Sequence, residues 1–78
     1  AIPLYEHTLR ERERVLGGDH PDTLTSRNNL AYAYETAGDL GRAIPLYESA
    51  LDDCERVLSP GHPLLATVRA NLKRARAT

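Results

Sequence analysis

The sequence predicts an all-α fold: four helices in antiparallel hairpins, stacked as an α-solenoid. The first observation behind this is an internal repeat with a 42-residue offset. Ala1-Ile2-Pro3-Leu4-Tyr5-Glu6 recurs letter for letter as Ala43-Ile44-Pro45-Leu46-Tyr47-Glu48, and 19 of 36 aligned positions are identical. A fixed period of this size marks units that bury their apolar faces on one another. The second is helical periodicity: Ala43, Ile44, Tyr47, Ala50, Leu51, Cys54, Val57 and Leu58 recur in steps of three and four and form one apolar stripe. The third is punctuation. Gly17-Gly18-Asp19-His20-Pro21 and Ser59-Pro60-Gly61-His62-Pro63 occupy equivalent places, are dense in helix breakers, and read as inter-unit loops.

Taken in order, the first helix spans 1–16 and carries Ile2, Leu4, Tyr5 and Leu9 as apolar positions. The second spans 21–37. Pro21 sits where a missing N–H costs nothing, and Asp22 lies near the positive helix end. Gly38 suits the left-handed position that closes this helix, and the Asp39 carboxylate can cap the third, 40–58. So short a link forces antiparallel neighbours. Pro45 lies inside the third helix and lacks the N–H that would bond the Gly41 carbonyl, so a bend or irregular first turn is expected there. The fourth helix spans 63–77; in it Lys73 and Arg76 replace Ala31 and Tyr34, a substitution that reads as a polar terminal cap. The chain is thus expected to be a single repeat domain, 1–78. It would comprise the second helix of a truncated unit (1–16), one complete unit (21–58) and the capping helix (63–77), within a longer array.

Composition narrows the function. A formal charge of −1 does not fit non-specific nucleic-acid binding, although Arg69, Lys73, Arg74 and Arg76 crowd one end. Cys54 is the sole cysteine, no apolar run reaches the roughly 18 residues that span a bilayer, and no signal-peptide pattern is present, so a soluble cytoplasmic chain with no membrane partner is expected. No catalytic constellation emerges. His20 and His62 stand one repeat apart, too far to share an ion, and read as helix-entry residues before proline. Cys54 falls on the apolar stripe as a packing thiol. Asp52-Asp53-Glu55 reads as a solvated face beside Arg56, and Gly17-Gly18 precedes no lysine-serine pair. The expectation is a chain that is not an enzyme and takes no metal or cofactor.

The run Asn28-Asn29-Leu30-Ala31-Tyr32-Ala33-Tyr34, then Gly38-Asp39-Leu40, Ala43-Ile44, Tyr47 and Ala50-Leu51, resembles a tetratricopeptide repeat. The 42-residue period looks like the kinesin-light-chain-type variant. The resemblance covers essentially the whole chain and implies a right-handed superhelical stack whose first helices line a concave, peptide-binding groove. Carried over by motif, the groove positions are Thr25, Asn28, Asn29, Tyr32, Glu35 and Thr36 in one unit, and Thr67, Ala70, Asn71, Arg74 and Thr78 in the next. Asn29 and Asn71 are equivalent; their amides can donate to and accept from a peptide backbone, or simply sit on a solvated face. Arg74 would add a donor for carboxylates. Arg27 and Arg69 either face a ligand or pair with neighbouring carboxylates. The implied partner is a protein or peptide. The alternative is self-association, through an exposed apolar end formed by Ile2, Leu4, Tyr5 and Leu9.

Overall fold

The computed structural model describes residues 2–77. Its four helices are α1 (Ile2–Leu16), α2 (Pro21–Thr36), α3 (Leu40–Val57) and α4 (Pro63–Ala77). Each packs on its neighbour in sequence, and α2 also touches α4. Successive helices therefore run antiparallel, with α2 and α4 side by side on one layer and α1 and α3 on the other.

The local signals account for the helix ends. His20 caps α2 through its imidazole: Nδ1 accepts a hydrogen bond from the Asp22 N–H at 3.1 Å, with Pro21 in the first turn. His62 repeats the arrangement at α4, its Nδ1 accepting from the Leu64 N–H at 3.1 Å. In both, Nδ1 can accept only because it carries no proton. The α2–α3 link closes on Gly38 at φ +85°, where the Gly38 N–H donates to the Glu35 carbonyl (3.0 Å) and the Asp39 N–H to that of Tyr34 (2.8 Å). This is the paired closure that a left-handed glycine permits and a side chain resists. Asp39 then caps α3, accepting from the Arg42 N–H at 3.2 Å. The disturbance expected at Pro45 is confined to the first turn. There the N–H groups of Arg42 and Ala43 share the Asp39 carbonyl (3.3 and 3.0 Å), and the helix continues unbroken through exposed Pro45.

Two apolar clusters fill the interior. Leu9, Leu30, Ala31, Tyr34, Ala43, Tyr47, Leu72 and Ala75 form one, and Leu24, Ala50, Cys54, Leu65 and Val68 the other. Ala31, Ala43 and Ala50 are fully buried, so the α2 and α3 backbones approach closely at small side chains. Leu9 belongs to this core at 8 % exposure, against the expectation that it lies on an open end. It shares the inner side of α1 with Ile2, seven residues earlier, and packs against α2; Leu4 and Tyr5 are the exposed members of that set.

The repeat extends to polar contacts. Glu13 pairs with Arg27 across α1 and α2 at 3.8 Å, and Glu55 with Arg69 across α3 and α4 at 3.1 Å; both partners are shifted by 42 residues. Glu6 accepts from the Tyr34 hydroxyl at 2.7 Å, and Glu48, its equivalent, pairs with Arg76. The α3–α4 junction is a second copy of the α1–α2 junction.

Candidate functional site

The face shared by α2 and α4 brings together most of the groove positions read from the sequence. Asn29 and Tyr32 are exposed on α2, Thr67, Ala70 and Arg74 are exposed on α4, and Thr25 and Asn71 are half-buried. Thr25 and Thr67 each turn the hydroxyl back onto their own helix, donating to the Pro21 carbonyl (3.0 Å) and the Pro63 carbonyl (3.1 Å). Such i to i−4 bonds remove the hydroxyl proton from use by a ligand but leave the oxygen as an acceptor. Thr36 is exposed near the end of α2, and Thr78 lies outside the described residues.

Two of the predicted positions are not open to a ligand. Asn28 is 6 % exposed, and its Oδ1 accepts from the Asn71 Nδ2 at 3.1 Å, so this amide joins α2 to α4. Glu35 is similarly occupied. Its carboxylate receives a bidentate pair from Arg74 (2.9 and 2.8 Å) and a further hydrogen bond from the buried Tyr47 hydroxyl (2.8 Å). The Arg74 hydrogen bonds hold the Glu35 carboxyl below the usual carboxylate range, while burial pushes the Tyr47 hydroxyl up. Arg74 also lies over the Tyr32 ring, 5.6 Å from its centroid, within cation–π range. Arg74 thus presents an edge already neutralised by Glu35, and the face as a whole is polar with little net charge.

Behind this face, Arg27 is the main buried charge. Its Nη1 donates to the Asp53 carboxylate at 2.5 Å and to the Ser49 hydroxyl at 3.3 Å, and its side chain is 10 % exposed. Arg56 joins Asp53 (3.0 Å) to Asp19 (2.7 Å) in the α1–α2 loop. Hydrogen bonds from Arg27, then Arg56, hold the Asp53 carboxyl low, and Arg56 does the same for Asp19. Of the two roles open to Arg27 and Arg69, the geometry places both in ion pairs. The strut formed by Tyr47 and Glu35 was missed by sequence reading. Its signal was a tyrosine on the apolar stripe of α3, whose hydroxyl must find a partner once buried.

Burial pushes the Cys54 thiol up, away from the reactive thiolate. Among the described residues no group of three or more histidine, cysteine or carboxylate side chains could hold a metal ion. Among the described residues no helix is long and apolar enough to cross a membrane.

Compared with known families, residues 1–55 match the model for the tetratricopeptide repeat. No curated protein matches the chain.

Proposed function

Because the chain belongs to the tetratricopeptide-repeat family, whose repeats generally mediate protein–protein interaction, we propose that it is a non-catalytic scaffold receiving an extended peptide or protein segment across α2 and α4. The observation that carries this is the alignment of Asn29, Tyr32, Asn71 and Arg74 on one face of two adjacent helices. Asn29 supplies an amide able to donate and accept at once. Tyr32 supplies an exposed ring, 53 % accessible and fixed beside Arg74. Asn71 and Arg74, engaged with Asn28 and Glu35, tie the two helices together and flank the exposed Asn29 and Tyr32. The near-neutral face favours a partner read through its backbone amides rather than through strong charge. A cytoplasmic location fits this reading.

The test is a selection of random displayed peptides on the chain, followed by titration of the winners. Asn29→Ala and Tyr32→Ala should each weaken binding at least about tenfold, roughly 1.4 kcal/mol, with helix content unchanged by circular dichroism. Peptides whose affinity ignores both substitutions would sink the reading. Affinity should vary little between 50 and 200 mM salt. A steep fall would instead favour a nucleic-acid role for Arg69, Lys73, Arg74 and Arg76, a role already weakened because Arg69, Arg74 and Arg76 are in ion pairs.

A second reading, self-association through α1, rests on Leu4 at 66 % and Tyr5 at 39 % exposure. Leu4→Glu would then convert an associating chain to a monomer, whereas Leu9→Glu would unfold it.

A further inference from the structure

The two helix junctions of this chain are copies in their ion pairs but not in their apolar filling. Leu65 and Val68 of α4 share a cluster with Ala50 and Cys54 of α3. Shifted by 42 residues, these four become Thr23 and Ser26 of α2 and Thr8 and Arg12 of α1. Thr23 is fully buried and Ser26 nearly so, yet among the described residues the Thr23 hydroxyl has no hydrogen-bond partner. Leu58, which packs against the same cluster, has Leu16 as its counterpart, and Leu16 is 41 % exposed. Among the described residues, α1 reaches the apolar clusters only through Ile2 and Leu9. Residues 10–16 add nothing to either.

What holds this half of α1 down is polar and open to water. Arg12 donates from Nη1 to the Asp22 carbonyl at 3.0 Å, and Glu13 stands 3.8 Å from Arg27 with its own side chain 44 % exposed. Exposed contacts of this kind contribute little to stability. Arg14 pairs with Glu11 at 2.7 Å, three residues away on the same helix, and so supports the helix without fastening it to α2. The stretch is fixed at both ends. Leu9 lies in the core; beyond Gly17, which takes φ +90°, Asp19 is bound by Arg56 at 3.0 and 2.7 Å and His20 caps α2.

We propose that residues 10–16 form a hinged strap, which lifts from α2 by itself between Leu9 and the glycines at 17 and 18 while the α2–α3–α4 core stays folded. Once lifted, a helix of about two turns has no face to pack on and melts in water. Lifting uncovers Thr23, Ser26 and the Glu13 side of Arg27, polar groups whose return to water offsets part of the cost of opening. Arg27 itself stays with Asp53 on α3. The strap is thus a second way into α2, away from the face that carries Asn29 and Tyr32. In the α3–α4 junction the same movement would expose Leu65 and Val68, and burial of each such side chain shifts an opening equilibrium by about ten- to a hundredfold. With both replaced by small polar residues, the strap should open at least about a hundredfold more often than residues 52–58, its counterpart on α3.

Native-state hydrogen exchange on the intact chain, followed by NMR, tests this. The backbone amides of residues 12–16 should exchange at least about a hundredfold faster than those of residues 54–58, with the weak urea dependence that marks local opening. They should also exchange faster than those of residues 6–9, the reverse of the order that fraying from residue 1 produces. The variant Thr23→Leu, Ser26→Val gives α2 the pattern of α4 and should slow exchange at residues 12–16 at least about tenfold. Equal rates and equal urea dependence at residues 12–16 and 54–58, a gradient fastest at residue 6, or a folded variant that leaves residues 12–16 as they were would each overturn the proposal. No ligand enters the measurement, so its failure leaves the groove reading standing.

Discussion

Replacing Asp53 by alanine removes the main counter-ion of a guanidinium that is nine-tenths buried. Arg27 would keep the Ser49 hydroxyl at 3.3 Å and the Glu13 carboxylate at 3.8 Å, the latter too long for a good hydrogen bond. Breaking one partner of a buried pair costs about 3–5 kcal/mol, because the other charge is left desolvated. Asp53 itself is 26 % exposed, so water can partly replace it, and the expected loss falls to about 2–3 kcal/mol. Against the roughly 4–12 kcal/mol that a chain of this size holds in total, this is a large fraction. The melting temperature should drop by about 10–20 °C. The double variant Arg27→Met, Asp53→Leu removes both charges and keeps side-chain volume, so it should return to within about 1 kcal/mol of the original. Urea unfolding at pH 7, read by circular dichroism on all four members of the cycle, gives the coupling directly. If Asp53→Ala alone costs under about 0.5 kcal/mol, or the double variant is as unstable as the sum of the singles, the ion pair is not the link between α2 and α3.

Acid should act through the same groups. The carboxyls of Asp19, Glu35 and Asp53 are all held below their ordinary values, so the folded chain binds fewer protons than the unfolded one. Their contribution is present above about pH 4.5 and is lost as pH falls through about 4 toward the folded-state values; Arg74→Gln should remove the Glu35 share of that loss in an acid titration of stability. His20→Ala and His62→Ala should each cost about 1 kcal/mol by urea unfolding, and asparagine at either position should recover most of it, since its side-chain oxygen also caps. Ala31→Lys should destabilise by more than about 3 kcal/mol or prevent folding, whereas Lys73→Ala, on the exposed side of α4, should change stability by less than about 0.5 kcal/mol.

Element boundaries were legible in the sequence because each is written locally. Gly38 and Asp39 close one helix and open the next, and a histidine before proline begins both α2 and α4. Face assignments were less secure, since one residue along a helix is a rotation of about 100°. Asn29 is exposed, while Asn28 beside it is buried between α2 and α4; the sequence hint was that its counterpart is Ala70 and not a second polar residue. Glu35 illustrates a different limit. Its three hydrogen bonds come from α3 and α4, and only the packed arrangement brings Tyr47 and Arg74 to one carboxylate. The seven-residue spacing puts Leu9 on one face with Ile2, but only the packed arrangement shows that this face meets the core.

The translational repeat has a consequence for behaviour at high concentration. Units related by translation rather than by a closed rotation carry complementary halves of one interface at opposite ends, the geometry from which open-ended filaments grow. Here α4 presents Lys73 at the register where α2 carries the fully buried Ala31. An ammonium group at that register is expected to oppose end-to-end growth, much as an inward charge on an edge strand guards a sheet against polymerising.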